Sequence, residues 1–165
     1  MLEQFNIQKW SKITFVPSIL LSSVQSLELK INKFQQAVFH SNSDLICLTE
    51  TWLQEHVLDI VIAIDGYILI RLDRKTATHG GVCMYIKNSI QCSVLNDLFD
   101  PTLEVLWVKI QPTRLPRGIS TIFEGVLYHP PSAEDTVMLN YLIENVTSIE
   151  FRCANCGILV LGDFN

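Results

Sequence analysis

Several things are missing from this 165-residue chain, and each absence removes a class of function. No stretch approaches the roughly 18 uninterrupted apolar residues of a membrane span. The greasiest run, "VLDIVIAI" at 57–64, is short and carries Asp59. The N-terminus has no signal-peptide pattern: Glu3 precedes the first lysine, and Pro17 breaks "FVPSILL". No Gly-rich nucleotide fingerprint or P-loop is present. There are no internal repeats, no low-complexity tract and no linker. Basic charge is also scarce. Twelve Lys and Arg stand against 17 Asp and Glu, a net charge of −5, so any nucleic-acid contact must rest on local groups or on a metal rather than on the overall field. The local basic groups are Arg71, Arg74, Lys75, Arg114 and Arg117, which read as ordinary solvated loop residues. Five cysteines, an odd number, point to free thiols in a reducing compartment. "CANC" at 153–156 has metal or redox spacing but no second pair beside it. It reads as a helix end leading into a strand.

What is abundant is apolar surface. Hydrophobic residues make up 48% of the chain, enough that burial does not limit folding. Strand-like and helix-like stretches are mixed. "SILLSSV" (18–24) and "DLICLTE" (44–50) read as buried strands flanking a helical "LELKINKFQQAVFH" (27–40). "GYILIRLD" (66–73) and "GVCMYIKNSI" (81–90) read as neighbouring strands joined by a polar loop ending in Gly80 and Gly81. "LEVLWVKIQP" (103–112) alternates, with Glu104, Leu106, Val108 and Ile110 on one face and Leu103, Val105, Trp107 and Lys109 on the other. "ISTIFEGVLYHPP" (119–131) is a further strand. Residues 132–151 form the clearest helix, with Ser132 and Asp135 matching a capping box. "GILVLGDF" closes the pattern as a central-type strand. The whole predicts a layered α/β sandwich.

Polar groups collect where these apolar runs stop: Ser22, Ser23 and Gln25, then Glu50, then Tyr128 and His129, then Asp163 and Asn165. An acid at the tip of a buried strand needs a cation or strong donors. Oxygen ligands without a His/Cys cage favour Mg²⁺ or Mn²⁺, and Mg²⁺ on one or two carboxylates is a phosphate-handling arrangement. Each residue alone has a plainer reading. Glu50 fits a cap or salt bridge, "GDFN" a turn, and Tyr128 a core side chain with its hydroxyl exposed. Their conjunction is what points to a site.

"LTETWL" (48–53), the Gly80-Gly81-Val82 strand, "GVLYHPP" and "LGDFN", in that order, resemble the endonuclease/exonuclease/phosphatase superfamily. "HGGVCMYIK", "EVLWVKI" and "YHPPS" are similar to the endonuclease domains of non-LTR retrotransposons of the LINE or Jockey kind. The resemblance implies a four-layer, DNase I-like α/β sandwich over 18–165 behind a lead-in at 1–17, incomplete at its C-terminal end. It implies a Mg²⁺- or Mn²⁺-dependent phosphodiesterase that nicks target DNA, works with a reverse transcriptase domain and needs access to the nucleus, with no membrane partner. Glu50 lands on the metal-binding glutamate, Asp163 on the aspartate that orients the attacking water, and Asn165 and Tyr128 on the phosphate-holding residues. Ser23 stands where the family has asparagine, a weaker contributor because a hydroxyl reaches less far than an amide. The family's later Ser-Asp-His element has no counterpart in the sequence, so little or no activity is expected. An inositol-phosphate or sphingomyelin phosphodiesterase of the same superfamily, or a non-catalytic DNA-binding module, are the alternative expectations.

Overall fold

The structure is a computed structural model and describes residues 16–75 and 79–164. Its elements follow the apolar pattern closely. Strand β1 (Ile19–Ser23), helix α1 (Leu27–Ser41), strand β2 (Leu45–Thr49), short helix α2 (Asp59–Ile62), and strands β3 (Tyr67–Leu72) and β4 (Val82–Lys87) build the first half. Strand β5 (Gln91–Val94), a 3₁₀ turn at Asn96–Leu98, strands β6 (Glu104–Gln111) and β7 (Thr121–Tyr128), helix α3 (Asp135–Arg152) and strand β8 (Cys156–Asp163) build the second.

Two four-stranded mixed sheets result, ordered β1-β2-β4-β3 and β5-β6-β7-β8. Because side chains alternate across a strand, each sheet has two apolar faces to bury. The inner faces meet: Leu45 and Cys47 of β2 and Val82, Met84 and Ile86 of β4 pack against Leu106, Val108, Ile122 and Val126. The outer face of the first sheet, with Ile46, Leu48 and Tyr85, packs under Leu27 and Val38 of α1. The outer face of the second, with Trp107, Phe123 and Leu127, packs under Met138 and Ile149 of α3. That is the four-layer sandwich. Burial of each large side chain in it contributes roughly 1.5–3 kcal/mol. Among the described residues, no helix is long and apolar enough to cross a membrane.

Three readings of the sequence change. The predicted capping box does not form: α3 begins at Asp135 with Glu134 as its N-cap and no side-chain cap bond. Asp135 instead meets His129, Oδ1 to Nε2 at 2.9 Å. Among the described residues strand β8 stands at the edge of its sheet, not at its centre. Its apolar run is explained by cover on both faces, Leu159 and Leu161 toward the inter-sheet core and Ile158 and Val160 toward α3. Arg71 is no solvated loop residue. It donates to the carbonyls of Gln54 and Val57 and to Asp59 and Asp73, bracing the 54–59 loop against β3. The CANC stretch behaves as expected, with Cys153 capping α3 and Cys156 opening β8.

One inner-face position is out of character. Glu124 of β7 is fully buried between apolar rows; Cys47 Sγ donates to its Oε1 at 3.0 Å, and its Oε2 has no partner. Burial pushes this carboxyl above the ordinary carboxylate range, against the smaller opposing effect of the Cys47 bond. A raised folded-state pKa stabilises the protein fully below the unfolded value of about 4.3, and that contribution is lost as pH rises through the folded value. Urea unfolding between pH 4 and pH 8 should therefore show wild-type stability falling with pH relative to that of Glu124→Gln. The gap expected at pH 8 is about 1–3 kcal/mol. Parallel curves for the two proteins would refute the assignment.

Candidate active site

At one rim of the sandwich the inner-face rows turn from apolar to polar. In the second sheet the register sets Glu104 opposite Tyr128 and Tyr128 opposite Asp163. Register partners share a face, so β6, β7 and β8 present acid, phenol and acid side by side. Two residues deeper the same row reads Leu106, Val126, Leu161, which anchors the polar tips on packed core. The first sheet supplies Glu50, directly after β2, and the Gly80–Gly81 turn, directly before β4.

Glu50 sits on strained backbone. Its φ is 55° and that of Trp52 is 53°, left-handed values that cost a non-glycine residue roughly 1–2 kcal/mol each. Five backbone bonds hold this segment in place. The carbonyls of Thr49, Glu50 and Thr51 accept from Val24, Ser26 and Leu27, and the amides of Thr51 and Trp52 donate to Gly81 and Gly80. Such over-determination is what lets strain persist at a functional site.

The Glu50 carboxylate is equally well furnished. The Trp52 indole N–H donates to its Oε2, as does the Gly80 amide at 3.1 Å, and the Tyr128 hydroxyl lies near enough to favour its charged form. Burial alone would raise its pKa. The Tyr128 hydroxyl, then the bonds from Trp52 and Gly80 and the nearby His79, outweigh that and hold it below the ordinary range. Glu50 is therefore a carboxylate at neutral pH. Tyr128 moves the other way, pushed up to about 12 by burial first, then by the neighbouring Glu50 carboxylate and the charges of Glu104 and Asp163. It keeps its proton and stays a donor. Trp52 also meets the His79 ring edge-on, centroids 4.4 Å apart.

The structure thus brings together Glu50, Tyr128 and Asp163 of the residues singled out from sequence. Ser23 ends β1 in register with Thr49, one residue short of Glu50; it is exposed, and no hydrogen bond joins it to Glu50. Asn165 lies outside the described residues. Sequence reasoning missed Glu104, Trp52 and the two glycine amides. Glu104 Oε2 accepts from the Gly81 N–H, and its Oε1 pairs with Arg74 Nε at 3.1 Å. Burial raises the Glu104 pKa, as does Glu50, against the lowering effects of Gly81 and Arg74. The available signal was an acid at the mouth of an otherwise apolar strand face.

Beside this row runs a cleft of about 260 Å³, lined by Arg74, Lys75, Phe99, Glu104, Tyr128 and His129 among others. A larger groove, about 750 Å³, lies at the far end of the first sheet beside Lys87, away from the carboxylates. Arg114 and Arg117, in the β6–β7 connection, are also at the far end. Only Arg74 and Lys75 of the five local basic groups line the cleft.

The donor set suits a hard cation. It is oxygen-only, and Glu50 is ionised and position-locked. Among the described residues no group of three His, Cys, Asp or Glu converges into a protein cage; a Mg²⁺ ion is commonly held by one or two carboxylates and completed by water and phosphate oxygens.

Residues 10–165 match the model of the Endonuclease/Exonuclease/phosphatase family. No curated protein matches in sequence. Among solved structures, ANGEL2, a 2′,3′-cyclic phosphatase, superposes with a TM-score of 0.64 at 17% identity, over 90% of this chain and 53% of that one. The AP endonuclease LMAP from Leishmania major gives 0.60 at 19%, over 92% and 60%. The endonuclease domain of TRAS1, a telomere-specific non-LTR retrotransposon, gives 0.61 at 11%, over 90% and 60%. These likenesses establish the fold, and the chain spans little more than half the length of each structure.

Proposed function

The chain belongs to the endonuclease/exonuclease/phosphatase family, and from that premise we propose that its carboxylate rim is a Mg²⁺- or Mn²⁺-dependent phosphodiesterase site acting on DNA. The observation that carries the reading is the Glu104–Tyr128–Asp163 row facing an ionised Glu50 across the sheet junction. Glu50 would hold the cation, which supplies positive charge to a phosphate oxygen. Tyr128, protonated and confined, would donate to a phosphate oxygen as negative charge builds there. Asp163, carried at the end of β8, would orient water toward phosphorus. Asn165 would hold another phosphate oxygen. Arg74 and Lys75 in the adjoining cleft suit a flanking phosphate.

The finer reading is the endonuclease of a non-LTR retrotransposon, which nicks target DNA to leave a 3′-hydroxyl for a reverse transcriptase domain of the same polyprotein. The motifs from "HGGVCMYIK" to "YHPPS" support it. Since the chain spans 53–60% of the solved structures described above, nicking by 1–165 alone is expected to be slow or negligible.

Supercoiled plasmid is the test. With Mg²⁺ the purified chain should yield at most a slow trickle of nicked circles with 3′-hydroxyl ends, abolished by Glu50→Ala and by Asp163→Ala. Nicking that survives both substitutions would overturn the site assignment. Preferential phosphate release from monoesters would overturn the substrate assignment.

A further inference from the structure

We infer that Glu104 is a positioning residue, which fixes the cation-holding geometry of Glu50 through the Gly80–Gly81 turn; the role rests on the reading of Glu50 given above. Adjacent amides of this turn are claimed by carboxylates from different sheets. Gly80 N–H donates to Glu50 Oε2 at 3.1 Å, and Gly81 N–H donates to Glu104 Oε2. The turn's carbonyls are taken as well, by the amides of Trp52 and Thr51. All four backbone polar groups of the two glycines are thus committed, and the turn cannot shift without breaking bonds to both acids.

Glu104 also reaches the other end of the same connection. Its Oε1 pairs with Arg74, just after β3, while its Oε2 holds Gly81, just before β4. One side chain on the second sheet therefore closes a loop of the first, and that loop delivers the Gly80 amide to Glu50. The fit is close on both sides. A Cβ on Gly80 would lie 2.6 Å from Glu104 Oε2, and one on Gly81 would lie 2.6 Å from Thr51 Oγ1. Both glycines have positive φ, 97° and 83°, so no other residue type presents these amides in this way. The Glu104 side chain is only 12% exposed, which suits a fixed bracket better than a group that exchanges with solvent or substrate. Partners that orient a metal ligand in this manner typically control affinity about ten- to a hundredfold.

The two ways Glu104 could matter, by reach or by charge, make opposite demands on substitutions. Glutamine keeps an oxygen for Gly81 at the same reach, discards the charge and gives up the Arg74 pair, because its amide nitrogen cannot accept from Arg74 Nε, so it isolates the Gly81 bond. Aspartate keeps the charge and is one methylene too short. The experiment uses the full chain as wild type, Glu104→Ala, Glu104→Gln, Glu104→Asp and Glu50→Gln. It reads Mn²⁺ binding by the loss of free-ion paramagnetic signal. It also reads the ¹⁵N–¹H resonances of the Trp52 indole and the Gly80 amide without metal, since both protons sit on Glu50 Oε2. Positioning requires that Glu104→Ala and Glu104→Asp weaken Mn²⁺ about tenfold or more and move both resonances, and that Glu104→Gln stays within about threefold of wild type. Resonances unmoved in Glu104→Ala and Glu104→Asp overturn the inference, as does an aspartate variant that binds like wild type while glutamine does not. If alanine unfolds the chain, the glutamine–aspartate contrast still decides. Resonances that move while Mn²⁺ binding is the same in wild type and Glu50→Gln would leave the bracket standing and overturn the reading of Glu50 instead.

Discussion

Glu50→Gln is expected to abolish divalent-cation stabilisation of the fold while leaving the metal-free protein close to wild type in stability. Glutamine retains a side-chain oxygen that can accept from the Trp52 indole and the Gly80 amide, so the strained turn at 50–52 keeps most of its bonds. What it loses is the negative charge that the surrounding donors hold in place. A ligand that binds only the folded state at a hundred times its Kd adds about 2.7 kcal/mol to unfolding. Wild type should therefore show a rising urea midpoint as Mn²⁺ is titrated, and Glu50→Gln a flat one. Whatever plasmid nicking the wild type performs should fall at least about a hundredfold, the scale seen when one charge-stabilising group is removed. A variant whose midpoint climbs with Mn²⁺ as steeply as wild type would mean that the cation sits elsewhere.

That Glu50, Tyr128 and Asp163 share one rim was legible in the sequence for one physical reason. Each stands at the end of a largely apolar strand, and burial of that strand leaves the polar residue at its tip at a fixed place on the rim. Glu104 hides because it opens a strand with two largely apolar faces, where a single acid at the very end reads as a solvated terminus. Its neighbours Leu106 and Val108 show only in three dimensions that its face is the inner one. Trp52 hides because a tryptophan is read first as apolar bulk, whereas its use here is the indole N–H. The glycine pair was visible as the end of a loop. Its function as two aimed amides depends on residues more than 20 positions away, Glu50 on one side and Glu104 on the other. Local pattern carries no information on such pairings. The same limit explains the capping box: Ser132 and Asp135 have the right spacing, but Asp135 is drawn to His129, which β7 has already placed beside it.

Gly162→Ala should do the greatest damage of any single methyl added to the second sheet. Gly162 pairs with Leu127 in the parallel β7–β8 ladder and has φ of 143°. A Cβ built on it would lie 1.9 Å from the Leu127 carbonyl oxygen and 2.8 Å from its carbon. Backbone atoms of a fully buried strand cannot rotate out of the way, so β8 must separate from β7 at this point. The next residue is Asp163, whose carbonyl accepts from the His129 amide at 2.9 Å, a backbone bond that helps to keep the acid in line with Tyr128. Strain of about 1 kcal/mol from the positive φ and about 1–3 kcal/mol from the overlap give an expected loss of about 3 kcal/mol, a large part of the 5–15 kcal/mol that holds a typical domain together. Gly118 provides the control. It too has positive φ, 87°, but nothing lies within 4 Å of its Cβ position, so Gly118→Ala should cost only the conformational share, about 1 kcal/mol. Urea unfolding of the two variants separates conformation from contact, and hydrogen exchange at the His129 amide reports whether Asp163 has left its place. Equal losses in the two variants, with His129 still protected, would show that the close approach of β8 to Leu127 does not position the acid.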